Sequence, residues 1–311
     1  MTGSAESQSV RHVEVGADRD GQRLDNFLIS HLGQSVPRSL VYRLVRTGQV
    51  RVNKSRAKPM QKLKRGDQVR IPPVRLAAPT EVRLPPGLVE QVKSCIVDKT
   101  EDFVVIDKPA GLAMHGGSGL SYGLMDAVAE INPAWRPVHR LDRPTSGLLL
   151  VACHHQALVA LQRAFVQRQV DKRYFALLCG RLPEERVRVD EPLKKITDRS
   201  GQRRVIVDED GQRAISEFRL IERLGNHSFV EVSIETGRTH QIRAHARALG
   251  LPIAGDELYN EQAAPEGLDR LFLHAHYLSL PWPEPLVFSS PLPDELDVAL
   301  NALRQPAHQS R

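Results

Sequence analysis

His139-Arg-Leu-Asp-Arg-Pro-Thr-Ser-Gly-Leu-Leu-Leu150 is the stretch from which the rest of the chain is read. One carboxylate, Asp142, sits between two guanidinium groups, Arg140 and Arg143. A Pro-Thr-Ser-Gly turn follows, and then an apolar run, Leu148 to Cys153, that reads as a buried strand. An acid on the lip of a strand and flanked by cations is expected to stay ionised. That suits a nucleophile or an electrostatic stabiliser better than a general acid. Taken alone, the same residues also describe a surface aspartate in an ion-pair network.

Working outward, strand-like and helix-like segments alternate irregularly. Cys95 to Asp107 reads as a hairpin turning at Lys99-Thr100-Glu101-Asp102, and Gln156 to Gln167 as a helix with Leu158, Leu161 and Phe165 on one face. Lys172 to Cys179, Ile215 to Glu222, Ser228 to Ile234 and Phe272 to Leu280 read as strands. Thr239 to Leu249 reads as a helix stopped by Gly250 and Pro252. The pattern predicts an α+β fold, a mixed and mainly antiparallel β-sheet with flanking helices. Three further segments carry candidate chemistry. A turn from Lys108 to Gly117 presents Lys108 and His115 where a phosphate would approach. In Lys172-Arg-Tyr174-Phe-Ala176, strand alternation puts Lys172, Tyr174 and Ala176 on one face. In Glu235-Thr-Gly-Arg238-Thr-His240-Gln-Ile-Arg243-Ala-His245, a strand ends in a glycine turn and a helix begins, with His240, Arg243 and Arg247 along one side.

The amino-terminal part differs in charge. Residues 21–75 hold thirteen Lys and Arg against Asp25 and Asp67, a net +11 within a chain of +6, so the remainder carries −5. A compact basic segment on a mildly acidic body points to a polyanion partner. Leu24, Phe27, Leu28 and Leu32 recur at helical spacing with Gly33 as the stop. A second helix runs from Pro37 or Arg38 to Arg46, with Leu40, Val41, Leu44 and Val45 inward. Arg38, Arg43 and Arg46 fall mostly off that face, free to reach phosphates. Val50 to Asn53 and Gln68 to Ile71 read as strands, separated by a basic, non-periodic run, Lys54 to Arg65, that includes Arg56 and Lys58. The expected domains are a flexible tail over residues 1–15, a basic, polyanion-binding module over 16–76, a proline-containing linker over 77–90 and a body over 91–311 that holds the candidate chemistry. Three cysteines without close spacing argue against a disulfide framework and a zinc knuckle, and fit a reducing cytoplasm. No secretory signal and no membrane-spanning run is visible. The histidines do not read as a metal site, since His240 and His245 lie five apart rather than four. Lys108 lacks the Gly-Lys-Ser/Thr ending of a nucleotide-hydrolase phosphate loop.

Two resemblances gather these pieces. Gly-Gln-Arg-Leu-Asp-Asn-Phe-Leu and the later Val-Arg-Val-Asn-Lys, within residues 21–74, resemble the S4-type RNA-binding module first known from a small-subunit ribosomal protein. The order of His-Arg-Leu-Asp-x-x-Thr-Ser-Gly, Lys-x-Tyr-x-Ala and Gly-Arg-Thr-His-Gln-Ile-Arg-x-His, with the Lys108 to His115 turn before them, resembles the RluA family of RNA pseudouridine synthases. With the basic module in front, the likeness is to the RluC and RluD types, and it leans towards RluC; these act on large-subunit ribosomal RNA. The resemblance implies a pseudouridine synthase fold and a set of roles. Asp142 would be the carboxylate that attacks the target uridine, at the sugar or at the base. Tyr174 would stack on the flipped uracil, Arg243 would pair with the carboxylate, and Arg140 would enter the RNA stack as the uridine leaves it. Arg238, at the turn before the helix, competes with Arg243 as the partner of Asp142. Isomerising uridine breaks the N1–C1′ bond and joins C5 to C1′ with no redox change, so no cofactor is required. The expected partner is ribosomal RNA, and the expected state a cytoplasmic monomer. The rival readings are a non-catalytic RNA-binding or assembly factor on the same fold, and a hydrolase using the same carboxylate.

Overall fold

The computed structural model describes residues 9–32, 36, 38–74, 83–116, 121–198, 201–282 and 284–305. The chain divides into two compact units, residues 1–81 and 82–311, each with its own apolar core.

In the first unit, β1 (Arg11–Glu14) is followed by two helices, α1 (Leu24–Leu32) and α2 (Arg38–Arg46), and then by β2 (Arg51–Val52), β3 (Ser55–Arg56) and β4 (Gln68–Ile71). The strands form one antiparallel sheet in the order β1-β4-β2-β3. Leu24, Phe27 and Leu28 of α1 and Val41, Leu44 and Val45 of α2 meet Leu63, Val69 and Ile71 in the core, as their helical spacing requires. Asn53 and Lys54 both take positive φ, 48° and 67°, and make the two-residue turn that lets β2 pair with β3. Two expectations need correction. Residues 11–14 are not tail: they form β1, in register from Arg11↔Ile71 to Glu14↔Gln68. Ser55–Arg56 is a short strand inside the stretch read as irregular. β1 is held by pairing with residues more than fifty positions on, and β3 by a two-residue hairpin with β2; neither is long enough for local periodicity to show. Residues 1–8, Gly33 and Pro37 lie outside the described residues.

The second unit opens with α3 (Leu88–Ser94), so the last three residues of the expected linker are helical. Leu88 and Val92 are buried in the core. Residues 75–82 of that linker lie outside the described residues. There follow β5 (Ile96–Lys99), β6 (Phe103–Lys108), α4 (Leu124–Ile131), β7 (Arg136–Pro137), β8 (Ser146–Ala152), α5 (His155–Val166), β9 (Asp171–Cys179) and β10 (Arg186–Asp190). After these come β11 (Leu193–Thr197), β12 (Arg203–Val207), β13 (Ile215–Leu224), β14 (His227–Ile234), α6 (Gln241–Ala248), β15 (Leu273–Trp282), β16 (Glu284–Ser289) and α7 (Asp294–Arg304).

Ten strands make one mixed sheet along the path β10-β13-β14-β9-β15-β8-β6-β5, with β16 on β15 and β7 on β8. Every pairing in it is antiparallel except that of β8 with β15, where Ser146 and Gly147 lie beside His274 and Ala275. Strands β11 and β12 form a separate two-stranded ribbon. β8 is buried along its whole length. Leu149 and Val151 face a core shared with α3 and α4, while Leu148, Leu150 and Ala152 face a second core shared with α5. A strand buried on both faces reads as a continuous apolar run, and that is the run that ends the stretch from which the sequence was read. Gly147 has φ 111° there, and a Cβ on it would fall on the backbone of Ala275, so only glycine permits the parallel junction. The turn carrying Asp142 is therefore anchored at the entry to a central, fully packed strand.

Candidate active site

The turn is built before the site is. The Thr145 N–H donates to the Asp142 carbonyl at 3.1 Å and closes a tight turn immediately ahead of β8. A second turn, Pro109 to Leu112, packs against it. The Gly111 N–H donates to the Arg143 carbonyl at 2.8 Å, and Arg143 Nε returns a hydrogen bond to the Gly111 carbonyl at 3.0 Å. Lys108 binds the two together, its Nζ donating to the carbonyls of Pro109 at 2.8 Å, Leu112 at 2.9 Å and Arg143 at 3.3 Å. Three acceptors use all three hydrogens of an ammonium. Burial pushes Lys108 down to about 7, against the pull of the Asp142 carboxylate.

This corrects the reading of Lys108 as a phosphate contact. The side chain is fully buried and its donors are taken by the protein. Lys108→Met is accordingly expected to lower stability by about 1–3 kcal/mol in denaturant unfolding. The dependence of RNA affinity on salt should stay unchanged; a loss of slope equal to one phosphate contact would place Lys108 on the RNA after all. His115 is exposed, and Gly117 lies outside the described residues.

The cations around Asp142 are not its sequence neighbours. Arg143 is turned to Gly111, and neither it nor Arg140 makes an ion pair with Asp142. Instead α6 brings the Arg243 guanidinium, Nη1, to 3.7 Å from Asp142 Oδ2, and the imidazole of His240, just ahead of α6, comes to 3.9 Å through Nε2. Of the two arginines weighed as partners, Arg238 is exposed and donates through Nε to the Arg213 carbonyl at 3.1 Å. Among the described residues no hydrogen bond reaches the Asp142 carboxylate. It is held near a cation but keeps its lone pairs uncommitted.

Arg243 is 5% exposed, and its principal partner is Asp256, absent from the sequence reading. Nε meets Asp256 Oδ2 at 2.8 Å and Nη2 meets Oδ1 at 2.7 Å, a two-pronged pair that fixes the plane of the guanidinium. Asp256 also accepts the N–H groups of Leu258 and Tyr259, at 3.0 and 3.2 Å. The Tyr259 ring lies 5.0 Å from the guanidinium carbon, and its hydroxyl contacts His240 Nδ1 at 2.9 Å while accepting the Val205 N–H at 2.8 Å. His240 is in the left-handed region, φ 52°, just ahead of α6. Burial lowers its pKa, outweighing the opposing pull of Asp142, so the ring is neutral at neutral pH. Gln241 fixes the turn before it: its Oε1 accepts the Arg238 N–H at 3.0 Å and the Thr236 hydroxyl at 2.7 Å. Asp256 and Tyr259 were missed because Ala254-Gly-Asp-Glu-Leu-Tyr259 has no periodicity and looks like any glycine-led loop. The only local signal is an acid placed to accept the N–H groups two and three residues on.

Tyr174 stands on β9 opposite these groups, 7% exposed, on the face it shares with Lys172 and Ala176. Burial, and secondarily the Asp142 carboxylate, push its phenol well above the usual range, so it stays protonated. A cavity of about 60 Å³ is lined by Asp142, Tyr174, His240 and Arg243. A larger one, about 440 Å³, is lined by His139, Phe165, Arg168 and Lys172. The two share Arg140, Tyr174, Ile234, Gly237 and Arg238, so they form one cleft. Arg140 is exposed on its wall. In the first unit Arg38, Arg43, Arg46, Lys54, Arg56 and Lys58 are all exposed. Arg38 is partly committed, at 3.5 Å from the buried Asp25 and 3.0 Å from Asn26 Oδ1.

The sequence pattern of the RNA pseudouridylate synthase family matches residues 102–248, and that of the S4 domain matches residues 22–69. The ribosomal large subunit pseudouridine synthase C of Yersinia pestis is 42% identical over 311 residues, covering 96% of this chain and 97% of its own. The protein of the same name from Escherichia coli K12 is 41% identical over 314 residues, covering 96% and 98%. Among solved structures, human RNA pseudouridylate synthase domain containing 4 superposes with a TM-score of 0.59 at 25% identity, over 70% of this chain and 95% of its own. Human RNA pseudouridylate synthase domain containing 1 gives 0.57 at 29%, over 72% and 98%. The order of motifs along the chain, the mixed sheet on which they converge and identity of this extent together establish that the chain belongs to the RNA pseudouridine synthase family, with an S4 domain ahead of the synthase domain.

Proposed function

We propose that this enzyme converts specific uridines of large-subunit ribosomal RNA to pseudouridine, with Asp142 as the catalytic carboxylate. The observation that carries the reading is the state of Asp142. Its side chain is 14% exposed and lies 3.7 Å from Arg243, and among the described residues no hydrogen bond reaches its carboxylate. A carboxylate placed beside a cation, but not consumed by it, is suited to attack the uridine. Neutral Tyr174 supplies an aromatic surface for the extruded base. Arg140, exposed on the cleft wall, would fill the gap left in the RNA stack. The reaction conserves atoms: N1–C1′ breaks, C5–C1′ forms, the C5 proton leaves and N1 gains one. It requires no cofactor. Relatives named for the large ribosomal subunit support the choice of RNA. No helix among the described residues is long and apolar enough to cross a membrane. We read the enzyme as a cytoplasmic monomer, in keeping with its three free cysteines.

Maps of pseudouridine in large-subunit ribosomal RNA, made with and without the gene, test this reading. One or more sites should vanish on deletion and return with the wild-type gene; an unchanged map would overturn it. The basic module is expected to act through phosphates. Replacing Arg43, Arg46 and Arg56 by Gln in the full chain should lower the slope of log affinity against log salt by about 2, at about 0.7 for each contact with a single strand. An unchanged slope would show that this face does not touch the RNA.

A further inference from the structure

We propose that Lys172 binds a backbone phosphate of the RNA strand, next to the nucleotide whose base stacks on Tyr174. The inference rests on the reading above and adds a residue to it. Lys172 lies two positions before Tyr174 on β9, on the same face, about 7 Å along the strand. Its side chain lines the larger part of the cleft and is 8% exposed.

What distinguishes this lysine is the lack of an ion-pair or hydrogen-bond partner. Among the described residues no carboxylate or carbonyl takes a hydrogen bond from its Nζ, which lies 5.2 Å from the centre of the Phe165 ring. The other buried Lys and Arg side chains described in this unit are engaged: Lys108 has three carbonyls and Arg243 has Asp256, while the half-buried Arg270 has Ser146 Oγ at 3.0 Å and Glu295 at 3.1 Å. Asp171, the adjacent acid, is taken by Arg173 at 2.6 Å. His139, beside it in the cleft, offers no charge, since it accepts the Leu150 N–H through Nε2 and burial pushes it down to about 3. A mostly buried cation that opens on a cleft without a counter-charge is suited to a ligand that supplies one.

The surroundings say that the ligand is an anion. The wall of this larger part of the cleft carries Arg140, Arg168 and Arg238, and the carboxylate in its lining, Glu235, is already paired with Arg168 at 3.0 Å and Arg188 at 2.6 Å. Burial brings Lys172 down to about 8, with Asp171 opposing, so it is still mostly charged at neutral pH. A phosphodiester over it would complete the ion pair and hold the strand beside Tyr174.

The test uses the full-length enzyme and a fragment of the ribosomal RNA in which it forms pseudouridine. Single neutral methylphosphonate linkages are placed in turn around the target uridine. For the wild type, one linkage should weaken binding by about tenfold or more. Lys172→Met should bind the unmodified RNA with the same loss, show a salt slope smaller by about 0.7, and lose nothing further from that linkage. Its loss of activity should fall on KM more than on kcat. Lys172→Arg should restore binding. Because the methionine removes an unpaired charge and keeps the shape, the free variant should melt at the same temperature or higher. Lys172→Met that keeps the wild-type slope and the wild-type response to every linkage would overturn the proposal. So would a fall in kcat at unchanged KM, which would put the lysine in the chemistry, or a lower melting temperature, which would make it structural. A wild type that forms pseudouridine in no RNA would instead overturn the function on which the proposal rests.

Discussion

Asp142→Asn is expected to abolish pseudouridine formation, by on the order of 10⁴-fold or more in turnover, while RNA affinity changes less than about threefold. The amide matches the carboxylate in shape. The turn that carries it depends on main-chain bonds, Thr145 N–H to the Asp142 carbonyl and Gly111 to Arg143, which the substitution leaves alone. Nor does it strand the neighbouring cation, because Arg243 keeps its two-pronged pair with Asp256. The loss should therefore fall on the chemical step. Release of tritium from C5-labelled RNA under single-turnover conditions measures it directly. A variant with a tenth of wild-type turnover would exclude Asp142 as the catalytic carboxylate.

Arg243→Ala is expected to cost both activity and about 3–5 kcal/mol of stability, and for different reasons. The activity goes because the guanidinium 3.7 Å from the Asp142 carboxylate is removed. The stability goes because Asp256, buried beneath it, is left as an uncompensated charge. Arg243→Lys keeps the charge but not the planar fork, so it should lose less of each. The two effects separate in Arg243→Met combined with Asp256→Asn. The amide can still accept the Leu258 and Tyr259 N–H groups, and no charge remains buried. That pair should regain much of the stability lost in Arg243→Ala, read from denaturant unfolding, and none of the activity. Recovery of turnover in the pair would mean that Arg243 serves only to neutralise Asp256.

Much of this protein is legible before folding is considered. The apolar spacing of Leu24, Phe27 and Leu28, the alternation of Lys172, Tyr174 and Ala176, and the unbroken run at β8 all report local periodicity against a buried face. That suffices for helices, strands and the α+β class. The uneven charge marks the basic module, since net charge is a sum and needs no coordinates. Three motifs, around Asp142, Tyr174 and Arg243, supply the candidate site. What composition and period do not carry is who meets whom. Arg140 and Arg143 flank Asp142 in the chain, yet the turn that exposes the carboxylate sends Arg143 to Gly111, while Arg243 and His240 arrive from a helix one hundred residues away. Lys108, an apparent phosphate contact in its proline-glycine turn, is a buried clamp on three carbonyls. Asp256, which orients Arg243, comes from a loop with no pattern at all. β1 forms only because β4 lies beside it. Periodicity records which side of an element faces the core. Ion pairs, clamps and edge strands are set by contacts between distant residues, and only the folded chain brings those together.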